Sequence, residues 1–178
     1  MKKEIKVFDY ANQILEALPK GILLTTKTEE KVNTMIIGWG TIGIEWGKPV
    51  FVAYVRESRF TKVQLDKNPE FTINIPLDTI DPTIFRVCGS KSGYDMDKIK
   101  DLNLTLEESN HISVPGIKEL PLTLECKVIY QSFQDAKSLP AEIVDKFYPN
   151  VAHNPLLSGD VDAHIAYYGE ILDAYILD

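Results

Sequence analysis

The sequence predicts a mainly β protein, an antiparallel barrel with small helices packed around it. Three observations carry that expectation. Short apolar runs rich in Val, Ile, Phe, Tyr and Thr recur along the chain, a composition that suits a pleated, half-buried surface. Most of these runs are joined by turn-sized segments, which permit antiparallel neighbours and leave no room for the crossover helices of a doubly wound sheet. The helical stretches between them are short, and no internal repeat, low-complexity tract or linker interrupts the pattern.

Taken in order, Asp9 to Leu18 reads as an amphipathic helix with Ile14, Leu15 and Leu18 on one face, Asp9 as N-cap and Pro19 as its stop. Gly21 to Thr26 is an apolar strand, Thr28-Glu29-Glu30-Lys31 a hairpin turn, and Val32 to Ile37 the returning strand. The Gly-rich stretch that follows reads as a turn, and Pro49 to Val55 as a strand rich in Val, Phe and Tyr. Ser58 is placed as N-cap of a helix over Phe60 to Asp66. Phe71 to Ile75 is the next strand. Asp81-Pro82 starts a helix reaching about Val87, with Asp capping and Pro at the first helical position. Asp95 starts a short helix over Met96 to Leu102. Strands at Leu104 to Glu107 and Leu122 to Tyr130 follow, then a helix over Ala141 to Phe147 opened by Pro140, and a long last strand over Ile165 to Ile176.

A length of 178 residues suits one domain, residues 1–178, with its own core. Hydrophobic residues at 44% and charged ones at 25% exclude disordered and fibrous classes. No run approaches the ~20 apolar residues of a transmembrane helix. The charged start, Met1 to Lys6, leads into no apolar segment of a secretory leader, so the expected location is cytoplasmic, with no membrane partner. The Asn103-Leu104-Thr105 triplet carries little weight as a glycosylation acceptor in that compartment. A net charge of −7 without a basic stripe argues against nucleic acid. It also means that an anionic ligand must be held by a local positive site working against the field of the whole chain. Cys88 and Cys126 are far apart and read as reduced thiols. His111, His153 and His164 have no metal-ligand spacing, and no Ser-His-Asp set stands out.

The stretch from Asn33 to Thr61 carries the chemistry. Gly38-Trp39-Gly40-Thr41-Ile42-Gly43 matches G-x-G-x-x-G in letters only: a dinucleotide fingerprint needs a helix starting inside the glycines, and here Gly47, Pro49 and a strand follow. Arg56-Glu57-Ser58-Arg59-Phe60-Thr61 lies at a strand-to-helix junction. Free N–H groups at a helix start point towards an anion, two arginines can add forked charged hydrogen bonds, and Ser58 and Thr61 can add hydroxyl donors. On these residues alone, a capping Ser with two solvated arginines explains the segment equally well.

An ordered set of short segments resembles the flavin reductase-like family of FMN-binding split barrels, which includes flavoredoxin. The set begins with Asn33-Thr34-Met35 leading into Gly38-Trp39-Gly40, then Trp46 and Pro49, then Arg56, Ser58, Arg59 and Thr61. It continues through Phe71 to Pro76, Cys88-Gly89-Ser90-Lys91-Ser92-Gly93 with Asp97-Lys98, Leu124 to Lys127, and Gly169-Glu170-Ile171. The resemblance implies an antiparallel split β-barrel and FMN as cofactor. It implies that the segment from Arg56 to Thr61, with Arg56, Ser58, Arg59 and Thr61, holds the phosphate and ribityl chain. Asn33, Thr34 and Met35, with Trp39, Gly40 and Thr41 in the glycine stretch, would lie against the ring, and Cys88, Gly89, Ser90, Lys91 and Ser92 would close over it. It further implies a homodimer with flavin at the interface.

Two departures stand out: Ile36 and Ile37 make their strand unusually apolar, and the insert around Asp145 to Asp162 does not align with the family's pattern, with Phe147 and Tyr148 in it as candidates to reach a partner's flavin. A flavin carries electrons and hydride itself, which accounts for the lack of an evident acid–base set and leaves the catalytic residues unassigned. Lys91 is the candidate charge near N1 of the ring. Trp39 reads as core packing more than as a ring wall, Trp46 as structural and Cys88 as a buried inert thiol. The expected function is an NAD(P)H-dependent flavin reductase-like oxidoreductase. The alternatives are a flavoredoxin-type electron carrier with tightly held FMN and a protein redox partner, or a non-catalytic ligand-binding barrel.

Overall fold

A computed structural model describes residues 1–149 and 157–177. The chain opens with strand β1 (Lys2–Glu4) and helix α1 (Ala11–Ala17), the helix flanked by 3₁₀ turns at Val7–Tyr10 and Leu18–Lys20. A run of strands follows: β2 (Ile22–Lys27), β3 (Val32–Ile37), β4 (Gly40–Glu45) and β5 (Lys48–Arg56). Helix α2 (Phe60–Lys67) and strand β6 (Glu70–Ile75) lead to helices α3 (Pro82–Ser90) and α4 (Lys98–Asp101). The short strands β7 (Leu106–Glu107) and β8 (Gly116–Ile117) pair with each other, and β9 (Leu122–Phe133), α5 (Ala141–Phe147) and β10 (His164–Leu177) complete the described chain.

The main sheet is eight-stranded and antiparallel, in the order β3-β2-β6-β9-β10-β5-β4, with β1 added to β10. Strand β10 is long enough to change neighbours, pairing β5 through His164 to Glu170 and β1 through Tyr175 to Leu177. Alternation along β5 sends Phe51, Ala53 and Val55 inward. These meet Ile22 and Leu24 of β2, Ile37 of β3, Phe71 and Ile73 of β6, Leu124 of β9 and Ile165 and Tyr167 of β10 in one cluster. Such a cluster forms only when the sheet curls around its own interior. Ile14 and Leu18 from the N-terminal helical segment and Leu65 of α2 join it.

A second cluster decides where the site lies. Leu23 points away from the barrel interior and packs with Ile84 and Cys88 of α3, Leu104, Ile117 and Leu120, with Ile36 of β3 at its margin. This apolar contact docks α3 and α4 on the outside of β2 and β3, and so brings residues 88–98 beside Asn33 and Met35.

The strands at Val32–Ile37 and the helix at Ala141–Phe147 have the expected bounds, and Asp81 caps α3 by accepting from the Thr83 N–H at 2.8 Å. Four expectations need correction. The Gly-rich stretch is strand β4, and the turn follows it: Trp46 and Gly47 both have positive φ, 52° and 71°, which the right-handed twist of a tight hairpin favours. Gly40 is glycine for packing, because a Cβ there would sit 2.9 Å from the Phe51 ring. Asp9 lies inside a 3₁₀ turn and makes no cap. The N-cap of α2 is Arg59, without a side-chain cap, because Ser58 is bonded elsewhere. The helix expected from Asp95 is the shorter α4, capped by Asp97 through the Lys100 N–H. Asn150 to Leu156, His153 among them, lie outside the described residues.

Gly169 sits at a register shift between β9 and β10, and a Cβ there would lie 2.4 Å from the Phe71 ring and 2.9 Å from Cys126 Cβ. Gly169→Ala is therefore expected to destabilise the fold by about 1–3 kcal/mol through overpacking, read as a lower urea midpoint at unchanged slope.

Candidate functional site

The strand-to-helix corner at the end of β5 is held by the chain that leads into β10. Antiparallel pairing places His164 opposite Arg56, so the residues before His164 lie across the corner. The Glu57 N–H donates to Ala163 O at 3.1 Å. Arg56 donates to the carbonyls of Asp162 at 2.7 Å and Phe147 at 2.8 Å, and its guanidinium lies over the Tyr148 ring. Ser58 donates through its N–H and Oγ to the Asp162 carboxylate, at 3.1 and 2.6 Å. Ser158 donates through its N–H and Oγ to the Glu57 carboxylate, at 3.0 and 2.9 Å. The donors of Arg56 and Ser58 thus tie two parts of the chain together.

Beyond the corner the geometry changes. Arg59, Phe60 and Thr61 at the start of α2 face Asn33, Met35 and Ile36 of β3 across a cleft of about 80 Å³. The far side is built by Cys88, Gly89, Lys91, Ser92, Gly93 and Lys98. Three cations line this cleft and no Asp or Glu does, in a chain with 26 acidic and 19 basic residues. Asn33 is 2% exposed; its Nδ2 donates to Thr61 Oγ1 at 3.1 Å and its Oδ1 has no partner. A Cβ on Gly93 would come within 2.5 Å of that oxygen, so only glycine leaves it open to the cleft.

The cleft runs into an open groove of about 190 Å³, sharing Met35, Ile36 and Arg59 with it. The groove is lined further by Ile37, Gly38, Trp39, Tyr54, Arg56 and His164. Trp39 is 42% exposed and packs edge-on against Phe147 at 5.1 Å, with His164 also 5.1 Å away. The Trp39 ring is therefore a groove wall, not core as expected. Hollows of about 510 to 520 Å³ elsewhere, one beside the β2–β3 hairpin and one under α5, are larger. Neither gathers cations free of acids, and chemistry outweighs volume here.

The thiol of Cys88 is pushed up to about 11 by burial, against the opposing charge of Lys98. It stays protonated near neutrality and is no nucleophile. Burial, reinforced by the Arg56 charge, pushes His164 down to about 4. Its ring is neutral near pH 7, with Nδ1 2.8 Å from the Tyr148 hydroxyl, which also reaches Gln134 Oε1 at 3.0 Å.

Of the residues singled out in the sequence, Asn33, Met35, Ser58, Arg59, Thr61, Cys88, Gly89, Lys91 and Ser92 line the cleft, and Trp39 and Arg56 the groove. Four turn elsewhere. Thr34 Oγ1 is buried against Thr25, Gly40 packs on Phe51, Thr41 is exposed on β4 opposite Val52, and Ser90 donates to Arg86 O. Phe147 and Tyr148 lie against Trp39 and His164 of their own chain. Sequence reasoning did not single out Ile36, Phe60, Gly93, Lys98, Tyr54 or His164 as site residues. Phe60 and Lys98 sit inside segments already of interest, whereas nothing in the sequence brings His164 to Trp39.

The flavin reductase like domain family matches residues 15–176. The chain belongs to this family. An uncharacterised protein of Archaeoglobus fulgidus is 27% identical over 121 residues, 68% of this chain and 67% of that protein. Among solved structures, flavoredoxin of Desulfovibrio vulgaris (Miyazaki F) superposes with a TM-score of 0.64 at 21% identity, over 89% of this chain and 69% of that one. Nitrilotriacetate monooxygenase component B from Bacillus cereus gives 0.67 at 17% identity, over 99% and 79%. A flavin reductase-like protein of Shewanella frigidimarina with a split barrel domain gives 0.64 at 16% identity, over 98% and 76%. The fold of this family member is thus the antiparallel split barrel expected from the sequence.

A histidine with a depressed pKa favours folding above the unfolded value of 6.5 and loses that contribution as pH falls towards about 4, because the unfolded chain takes up the proton first. Folding stability is expected to drop by ~2 kcal/mol more in the parent than in His164→Asn between pH 7 and about pH 4.5, measured by urea unfolding.

Proposed function

We propose that this family member is a single FMN-binding domain that works as an NAD(P)H-dependent flavin reductase-like oxidoreductase, as a homodimer with flavin at the interface. The observation that carries the reading is the acid-free cationic cleft opening into an aromatic groove. The residues fit a flavin mononucleotide in parts. The cleft, about 80 Å³ and lined by three cations and by hydroxyls, suits a compact anion such as a phosphate. Arg59, Lys91, the Thr61 and Ser92 hydroxyls and the free N–H groups at the start of α2 supply donors for it. The groove offers a flat apolar bed of Met35, Ile36 and Gly38, with Trp39 and Tyr54 as walls.

Bound flavin would supply hydride and electron transfer. The chain's own groups bind and orient. Arg59 lines both cleft and groove, and so can follow the ligand from phosphate towards ring. The neutral His164 offers the groove a hydrogen-bonding edge without adding charge. The groove is open to solvent, so a planar donor such as a nicotinamide can approach a ring held there.

Purified protein is expected to be yellow and to release FMN on denaturation; a colourless protein that takes up no FMN overturns the reading. Arg59→Ala should weaken FMN binding by about 1.5–3 kcal/mol through loss of charged hydrogen bonds, in a fluorescence titration. Anaerobic mixing with NADH or NADPH should bleach the FMN-loaded protein within the dead time or seconds of a stopped-flow trace. Absence of bleaching by either points to the electron carrier. Light scattering should return twice the chain mass, and a monomer with flavin bound contradicts the interface placement.

A further inference from the structure

Helix α5 holds no residue in the core. None of its seven residues is buried, although a surface helix normally packs an apolar stripe against the protein. Ala141, Val144 and Asp145, at helical spacings of three and four, share one face and line a hollow of about 520 Å³. Phe133 at the end of β9, Leu139 before α5, and Val161 and Ala163 before β10 supply the rest of its main apolar surface. The Phe133 ring is 58% exposed there. The helix therefore roofs an open apolar space instead of filling it.

The charged part of the lining is acidic. Glu57, Asp135, Asp145 and Asp160 stand against one cation, Lys137. Asp135 is spent on its own turn, accepting from the Lys137 N–H at 3.0 Å and from Ser138 Oγ at 2.8 Å. Glu57 is different. It is 8% exposed, and among the described residues its carboxylate accepts only from the N–H and Oγ of Ser158. No Lys, Arg or His of the described residues pairs with it. Its neighbour Arg56 is bonded to the carbonyls of Asp162 and Phe147 instead. An ionised carboxylate has about four lone-pair sites, and Ser158 occupies two of those on Glu57. A buried carboxylate without a counter-ion is unfavourable unless a cation offsets it, and here the space beside it is open.

We propose that the hollow under α5 is a second binding site, for a small organic cation: a primary or secondary ammonium on a compact apolar body. The ammonium donates to the open lone pairs of Glu57, while Asp145 and Asp160, exposed at the rim, add charge of the same sign. The apolar body lies on Phe133, Leu139, Val144 and Val161. A neutral molecule would leave Glu57 without a counter-ion, and an anion would meet four carboxylates. The net charge of −7 draws cations to the chain in any case. The volume falls within the range of small-molecule pockets, about 300–1,000 Å³. The hollow shares no lining residue with the cationic cleft or the aromatic groove, so the proposal stands apart from the flavin reading.

Titration of the purified protein, in the flavin state in which it is isolated, tests the site with benzylammonium, cyclohexylammonium and n-hexylammonium, each beside its neutral alcohol and its carboxylate. The readout is the methyl signals of Ala141, Val144, Val161 and Ala163 in protein labelled at Ala and Val. At least one ammonium is expected to move these signals to saturation. It should bind about tenfold to a hundredfold more tightly than its alcohol, the worth of a charged hydrogen bond, and the carboxylates should leave the signals in place. Glu57→Gln, which keeps the size and removes the charge, should bring the ammonium down to the level of the alcohol, with alcohol binding unchanged. Three ammonium probes that leave these signals in place, or alcohols that bind as tightly, overturn the proposal. So does an equal loss of both ligands in Glu57→Gln, or a response confined to the groove around Trp39. The comparison of ammonium with alcohol on the parent decides by itself where Glu57→Gln does not fold.

Discussion

The pairing of β10 with β5 sets the geometry on which the site depends. With His164 opposite Arg56, the residues before β10 lie across the corner where β5 turns into α2. Arg56, Glu57 and Ser58 each bond to that crossing segment. The corner is therefore fixed before any ligand arrives, and its polar groups divide the work. Arg56 and Ser58 hold protein to protein. Arg59 and Thr61, one helical step further on, face the cleft. Preorganisation of this kind lowers the ordering cost of capturing an anion. It also brings α5 into play, since Arg56 bonds to Phe147 O and packs on Tyr148, and these two aromatic residues buttress Trp39 and His164.

The two halves of the site differ in electrostatics for a physical reason. The cleft is lined by three cations and no acid, so it can locally oppose the field of a chain with net charge −7. The groove is open, lined by apolar and aromatic side chains with Arg56 and Arg59 at its edge, and its one buried titratable group, His164, is neutral near pH 7. An arrangement with a cationic, acid-free cleft at one end and a groove of apolar and aromatic side chains at the other suits an amphipathic ligand with a phosphate at one end and a planar ring at the other. The proposed function follows from that match more than from any single residue.

Much of the fold was legible in the chain. The strand at Val32–Ile37, the hairpin before it, the capped start of α3 and the helix at Ala141–Phe147 all have local causes: alternation, turn residues, an Asp-Pro cap and a Pro at a helix start. The failures have causes that are not local. Gly40 to Glu45 looked like a turn because glycine usually marks one, but here it answers a close approach of Phe51 across the sheet. Trp39 looked like core, but it is half-exposed in the groove and packs on Phe147, more than a hundred residues away in sequence. Ser58 looked like a cap and is the partner of Asp162. In the site, the anchor segment and the Cys88 to Ser92 stretch could be picked out as ordered pieces, whereas His164 and Lys98 could not be assigned roles.

By itself the sequence determined what depends on neighbours along the chain: the antiparallel β character, the positions of most strands and turns, the absence of a basic stripe, and the short segments whose order points to the family. Tertiary structure alone decided which donors are spent on the protein and which face a ligand, and which charged groups are buried without a counter-ion. The reason is that a hydrogen bond or an ion pair is settled by whichever group lies within about 3 Å, and for Arg56, Ser58, Asn33 and Lys98 the deciding groups come from distant parts of the chain, brought there by the curl of the sheet and the packing of α3 and α4 against it.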